Sequence, residues 1–497
     1  MCRPMNTAVA EQAAEAHYAR GNALAERRQW EAALADYDRA IAFKPDYARA
    51  FSNRGNVLAE LKQWEAALAS FGRAIAIKPD YAEALSNRGN LLADLNQWQA
   101  ALADYDRAIA IKPYFAVALS NRGNALTKLK RWEAALASYE RAIALQPDYA
   151  EARCNRGCIL TELKQFDAAL ENFDQAIRLR PDFAEAHFYR SVVWLLRGEY
   201  AKGWEEYEWR RKSERLTPLQ FQSRFRQPLW LGEQPIAGKT ILLYGEQGLG
   251  DTLQFCRYAS LVAKLGASVI LEVQEPLLRA LASVEGVSQL LPRGSPLPNF
   301  DYYCPLVSLP LAFKTDDHSI PRTHRYLASD PARVARWDVR LGQRGKPRIG
   351  LTWSGSATYT YHDRSVPLAT LVRYLPDDYQ YVSLQKDVRE ADRATLQSDP
   401  RILDLTSDIT DFADTAALCD CLDLVISVDT SVAHLSGALG QKTWILLSFV
   451  PDWRWLLDRS DSAWYPSATL YRQEAAGDWS AALKRVRRDL AGALMGR

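Results

Sequence analysis

One spacing constrains this chain more than any other feature. Trp30, Trp64, Trp98 and Trp132 fall 34 residues apart, and Phe166 and Tyr200 continue the phase. Pro45, Pro79, Pro113, Pro147 and Pro181 keep the same interval at a second phase. A unit of this length cannot bury its apolar face alone. Stacked in tandem it forms a solenoid that presents an extended concave surface. With Ala14 as the first position, repeats run 14–47, 48–81, 82–115, 116–149 and 150–183, and a degenerate sixth ends near 217. Proline cannot continue a helix interior, so the five prolines mark where each second helix stops.

The small-residue phases fit two packed helices per repeat. Gly21, Gly55, Gly89, Gly123 and Gly157 recur in the first helix, and Ala33, Ala67, Ala101, Ala135 and Ala169 in the second. Tyr37, Phe71, Tyr105, Tyr139 and Phe173 fill the space between them. Period and pattern resemble the tetratricopeptide repeat (TPR). Some polar positions recur without a packing reason. Asn53, Asn87, Asn121 and Asn155 hold the sixth position of successive repeats, and Asn22, Asn56, Asn90 and Asn124 the ninth. Sites three apart share a helix face, so these amides are expected to form a ladder. A side-chain amide donates and accepts, which suits gripping an extended peptide by its backbone. The competing role is bridging neighbouring helices inside the solenoid. The ladder is similar to that lining the TPR superhelix of O-linked N-acetylglucosamine transferase, which implies capture of a polypeptide. Arg20, Arg54, Arg88, Arg122, Arg156 and Arg190 recur beside it and are expected to make inter-repeat ion pairs, and Asp36-Tyr-Asp38 reads as surface decoration.

At 497 residues the chain is long enough for several domains. A formal charge of +2 offers no case for nucleic acid or an anionic membrane as partner. No apolar run is long enough to span a bilayer, and Met1–Asn6 lacks the apolar core of a secretory signal, so a cytoplasmic location is expected. The seven cysteines are scattered. Cys154/Cys158 and Cys419/Cys421 lack a second pair at zinc spacing, and reduced core thiols are expected.

Beyond the arm (14–217) the pattern changes. A linker, 218–237, follows an aromatic and basic junction of Trp204, Tyr207, Trp209 and Arg210-Arg211-Lys212, which reads as a docked cap. Two α/β units are then expected, 238–340 and 346–475, with a terminal helix at 478–495. Thr240–Tyr244 is a short apolar run suited to a buried parallel strand. It feeds Gly245-Glu-Gln-Gly248-Leu-Gly250-Asp251, a glycine-rich turn into a helix, where free amides favour anions. A strand at 268–273 and a helix starting near Pro276 follow. The second unit opens with a strand from Arg348 into Trp353-Ser354-Gly355-Ser356, and a further strand runs from Tyr381 to Gln385. Asp423–Val428 is an apolar strand ending in Asp429-Thr430-Ser431, with His434 in the next helix and another strand at Thr443–Leu447. Strand carboxyl ends are where ligands bind in open α/β sheets.

Gly-x-x-Gly-x-Gly-Asp in the first unit and Val-Asp-Thr-Ser-x-x-x-His-Leu-x-Gly-Ala-Leu-Gly in the second resemble glycosyltransferase family nine, the heptosyltransferase-like group. That resemblance implies a two-lobed, GT-B-like fold. It implies that Asp251 is the base for an acceptor hydroxyl and that Asp429, Thr430, Ser431 and His434 grip a nucleotide-sugar donor; Trp353, Ser354 and Gln385, at the ends of their strands, are further expected donor-binding residues. Arg364, in His362-Asp363-Arg364-Ser365, meets the diphosphate, and Gly245, Gly248 and Gly250 form the loop. Ser431 departs from the family, which commonly has glycine there, and the first lobe is short. The expected function is metal-independent, inverting sugar transfer to a protein hydroxyl, with flagellin or another surface protein as acceptor and no bound cofactor. Asp251 as a helix cap, His434 as a packed side chain, and Trp453 and Trp455 as lid or core are the competing structural roles. A non-catalytic scaffold, or a glycan or lipopolysaccharide transferase with a docking arm, are the rival functions.

Overall fold

The computed structural model describes residues 7–218, 224–355 and 364–493. Met1–Asn6, Ser356, His362 and Asp363, with parts of the expected linker and terminal helix, lie outside the described residues. The chain divides into two compact units, 1–186 and 187–497.

The first unit is a run of helix pairs, Thr7–Glu26 with Trp30–Phe43, then Ala48–Glu60 with Trp64–Ile77, repeated through Phe166–Leu179. The turn inside each pair needs one left-handed residue, at Arg28, Lys62, Asn96, Lys130 and Lys164, with φ between 56° and 59°. For a non-glycine residue that conformation costs about 1–2 kcal/mol. It is held because the next backbone amide turns back onto the helix, as in Gln63 N to Leu58 O at 2.8 Å. The repeating glycines are there for close approach. A Cβ on Gly21, Gly55, Gly89, Gly123 or Gly157 would lie 2.7 Å from the tyrosine or phenylalanine ring of its own repeat.

The ion pairs differ from the expected inter-repeat set. Arg54, Arg122 and Arg156 do reach the preceding repeat, at Asp38, Asp106 and Glu140. Arg88 instead pairs with Asp104 inside its own repeat at 2.6 Å, because the preceding repeat presents Gly72 where the others carry an acid. Arg20, in the first repeat described, takes Asp36 of the same repeat. Asp36 is therefore buried, 3 % exposed, and not surface decoration. Hydrogen bonds from Arg20 hold its carboxyl at about 2.

The second unit begins at His187 and so takes in all but the start of the sixth repeat. The helix Tyr200–Tyr207 belongs to the α/β part. Trp204 donates its Nε1 hydrogen to Thr315 O at 2.9 Å and meets Trp453 edge-on at 5.1 Å. Arg210 is fully buried between Glu246, Glu208 and Ser308.

Two parallel sheets follow. In the first lobe β1 (Thr240–Tyr244), β2 (Ser268–Val273), β3 (Val287–Pro292) and β4 (Tyr302–Pro305) lie in the order β3-β2-β1-β4. The helix expected near Pro276 is only a 3₁₀ turn, Glu275–Leu277. In the second lobe β5 (Arg348–Thr352), β6 (Gln380–Ser383), β7 (Ile402–Leu403), β8 (Leu424–Val428), β9 (Thr443–Leu447) and β10 (Ala468–Arg472) lie in the order β10-β9-β8-β5-β6-β7. This is the doubly wound order, whose direction reverses between β5 and β8. The helix Ser480–Ala493 packs Leu483, Val486 and Leu490 into the second lobe's core. The described residues thus form a helical solenoid followed by parallel α/β sheets.

Candidate functional site

The strand order locates a switch point in each sheet. In the second lobe the chain leaves β5 and β8 in opposite directions, so Trp353-Ser354 and Asp429-Thr430-Ser431 diverge at the switch point, where α/β sheets bind ligands. In the first lobe the same reversal falls between β1 and β4, and the Gly245–Asp251 loop follows β1.

The two loops meet. Gly250 lies in the first turn of the helix Leu249–Phe255, and a Cβ there would lie 2.7 Å from His434 Cδ2 on the helix Ser431–Ala438. Gly250 is therefore required by interlobe packing. Gly245 is equally tight, 2.5 Å from Thr252 Oγ1. Gly248 caps the helix, and its N–H donates to Asp251 Oδ2 at 2.8 Å. Asp251 thus sits at the third position of its helix and reaches back to the capping amide, while its other oxygen pairs with Arg454 from the opposite lobe.

Arg454 ties the cleft together. It donates through Nε to Gln254 Oε1 at 2.5 Å and through Nη1 to Asp452 Oδ1 at 2.7 Å, and its guanidinium lies 4.3 Å from the centre of the Trp453 ring. Asp429 lies on the same cluster. Arg364 donates to its carbonyl oxygen at 2.9 Å and stands 3.5 Å from Oδ2, and His434 Nε2 is 3.7 Å from Oδ1. Burial pushes the Asp429 carboxyl up, opposed by Arg364. It also pushes Asp251 up, opposed by Arg454. Burial pushes Asp452 up as well, but the charge and hydrogen bonds of Arg454, with the charge of Arg364, together hold it below the usual carboxylate range. Burial, then Arg454, keeps His434 well below the usual imidazole range, so it is neutral at pH 7. Its Nδ1 hydrogen-bonds Tyr465 Oη at 2.8 Å, and its ring stacks on Trp455 at 5.5 Å.

The remaining donor-side residues divide. Thr430 caps the helix Ser431–Ala438 and hydrogen-bonds Ser427 at 3.1 Å, and Ser431, half-exposed, begins that helix. Gln385 Oε1 accepts from the amides of Trp353 and Ser354, at 3.2 and 3.0 Å, and so fixes the exit of β5. The Trp353 indole points away, into the core, donating to Asp392 at 3.1 Å. Thr352 Oγ1 and Ser354 Oγ are buried at the switch point with no hydrogen-bond partner among the described residues. Buried hydroxyls in that state are uncommon and ask for a ligand or water. Trp453 and Trp455 are buried, at 3 % and 0 % exposure, Trp453 against Phe255 and Trp464. They pack the cleft wall.

The asparagine ladder also has a definite geometry. The ninth-position Oδ1 of Asn22, Asn90 and Asn124 accepts twice. One bond comes from the tyrosine of its own repeat, Tyr37, Tyr105 or Tyr139, at 2.6–2.8 Å. The other comes from the sixth-position amide of the next repeat, Asn53, Asn121 or Asn155, at 2.8–3.0 Å. These rungs bridge repeats, so part of their hydrogen-bonding capacity serves the solenoid. The fourth rung differs. Phe71 supplies no hydroxyl, and the side chain of neither Asn56 nor Asn87 hydrogen-bonds a described residue.

Sequence reading missed Arg454, Asp452, Gln254 and Tyr465. An arginine between two tryptophans in Pro451-Asp452-Trp453-Arg454-Trp455 was the available signal, since a charge in an aromatic run needs a buried partner.

Among the described residues no helix is long and apolar enough to cross a membrane. Protein FlbA of Caulobacter vibrioides is 28 % identical over 331 residues, spanning 60 % of this chain and 54 % of FlbA. That span is longer than the repeat arm, so it reaches into the α/β part, and it covers about half the length of FlbA. Two solved structures resemble the chain in part. YrrB, described as a TPR protein with an unusual peptide-binding site, is 26 % identical with a TM-score of 0.30, over 34 % of this chain and 88 % of YrrB. PilF of Pseudomonas aeruginosa is 16 % identical with a TM-score of 0.38, over 43 % of this chain and 96 % of PilF. Residues 21–62, 55–96 and 123–160 match the TPR repeat model, and 82–115 and 150–183 match the tetratricopeptide repeat model. The N-terminal arm is a tetratricopeptide-repeat solenoid.

Proposed function

We propose that the chain is a glycosyltransferase that moves a sugar from a nucleotide-sugar donor to a hydroxyl of a protein captured by the TPR arm. One observation carries this reading: Asp251, Arg364, Asp429 and His434 gather in one side-chain cluster where the loops after β1 and β8 meet, beside the switch points of two parallel sheets. TPR solenoids bind other chains through their surface, which supports a polypeptide as the arm's partner.

The chemistry asks for these groups. The acceptor oxygen bonds to the anomeric carbon as the bond to the diphosphate oxygen breaks, with inversion. The hydroxyl proton passes to a carboxylate, for which Asp251 is the proposed base. Negative charge gathers on the departing nucleoside diphosphate, which leaves with the bonding electron pair. Arg364, the hydroxyls of Thr430 and Ser431 and the first amides of the helix Ser431–Ala438 meet that charge. A neutral His434 and a buried Asp429 suit hydrogen bonds to sugar hydroxyls. No step in this scheme calls for a metal or a bound cofactor.

Incubating the full chain with a panel of nucleotide sugars and following release of nucleoside diphosphate tests the reading. Hydrolysis of one donor, reduced at least a hundredfold in Asp251→Asn, is expected. No hydrolysis and no thermal shift with any donor would leave a protein-binding scaffold as the better account.

A further inference from the structure

The cleft contains one group whose position the proposed chemistry does not explain. Arg454 is buried, comes from the segment between β9 and β10, and bonds two side chains of the opposite lobe, Asp251 and Gln254, besides its neighbour Asp452. Burying a guanidinium is costly unless each of its edges is paired, and here Nε, Nη1 and Nη2 each have a partner. Trp453 closes one face of its plane. A planar fork with fixed edges sets direction as well as charge.

The consequence falls on Asp251. Gly248 N–H fixes one carboxylate oxygen from its own loop, and Arg454 fixes the other from across the cleft. Both torsions of the side chain are thereby determined, and the lobes are tied at the place where Gly250 touches His434. We propose that Arg454 is the positioning residue of this site, orienting the Asp251 carboxylate while it holds the two lobes together. This rests on the reading of the cleft as catalytic for its purpose, though not for its geometry.

The groups facing Asp251 are Arg454 and Asp452 from the segment after β9, Arg364 from the segment after β5, Tyr207 from the helix Tyr200–Tyr207, and the Gly248 amide of its own loop. Of the two cations only Arg454 contacts Asp251 directly. Replacing Arg454 with a neutral group therefore raises the proton affinity of Asp251, because a carboxylate without its cation ionises less readily.

The test uses the full chain with ¹³C-carboxyl-labelled aspartate, the Asp251 resonance being identified by its loss in Asp251→Asn. In Arg454→Gln its titration midpoint should rise by at least one pH unit, a tenfold change in proton affinity. Arg454→Lys keeps the charge but not the fork, and should recover most of that shift. An unchanged midpoint in both folded variants overturns the proposal. The donor assay adds an independent arm. Where the wild type turns over a donor, Arg454→Gln should lower kcat with little change in KM and move the acid limb of the rate to higher pH by the same amount. Where the wild type turns over no donor, the glycosyltransferase reading fails while the titration still decides the role of Arg454.

Discussion

The arm and the lobes both contain arginines paired with carboxylates, and they use them in opposite ways. In the arm the pairs recur at one phase, each arginine finding an acid either in its own repeat or in the one before. Where Gly72 removes one acid, Asp104 supplies another, so the interaction is interchangeable. In the lobes the pairs do not recur. Arg210 with Glu246, Arg364 with Asp429 and Arg454 with Asp251 are single arrangements between segments apart in sequence, each with at least one buried partner. A polar group that repeats with the fold is serving the fold. One that converges once, at a sheet's switch point, is a candidate for chemistry.

Three measurements break or sharpen that contrast. The largest effect is expected at Arg210, whose loss leaves Glu246 and Glu208 buried without their cation. Arg210→Met should cost about 3–5 kcal/mol in denaturant unfolding. Arg122→Met, against the half-exposed Asp106, should cost at most about 1 kcal/mol. Equal costs would erase the distinction between the two regions.

Next comes packing within the arm. A Cβ at Gly89 meets the Tyr105 ring at 2.7 Å, whereas one at Gly72 meets nothing within 4 Å. Gly89→Ala should destabilise by about 1–3 kcal/mol. Gly72→Ala, in the interior of the helix Trp64–Ile77, should stabilise by about 0.5–1 kcal/mol. Thermal unfolding of the two variants side by side reads both signs.

The smallest effect separates architecture from recognition along the ladder. Asn90→Ala removes the acceptor shared by Tyr105 and Asn121 and should cost about 1–2 kcal/mol. Asn56→Ala removes no hydrogen bond to a described residue and should stay within about 0.5 kcal/mol. If Asn56→Ala nonetheless weakens binding of an extended peptide, measured by fluorescence anisotropy, the open rung is a recognition site. If Asn90→Ala is silent in unfolding, the closed rungs are not structural.

Much of the fold was legible, for particular reasons. Strands at 240–244, 268–273 and 443–447 stand where the sequence placed them, because a strand buried on both faces is mostly apolar and its short apolar run marks it. The helix expected near Pro276 failed because its local pattern carried no information about the turn that the sheet imposes there. Trp353 was legible as a strand end, but the direction of its indole was not, since Asp392 lies 39 residues away. The ladder's phase was legible, whereas its internal closure through tyrosine hydroxyls depended on how adjacent helices cross.

By itself the sequence determined what is local and periodic: the 34-residue repeat, the glycine–aromatic packing inside it, the apolar strands and the glycine turn that leads into Asp251. Helix and strand periods and close-packing at fixed spacings are written in neighbouring residues, so a linear reading recovers them. The tertiary structure alone decided which arginine holds which carboxylate. Asp251 and Arg454 are 203 residues apart, and their pairing follows from two sheets presenting their switch points to one cleft. Long-range electrostatics depends on distance in space and on burial, and neither is a property of the chain read in order.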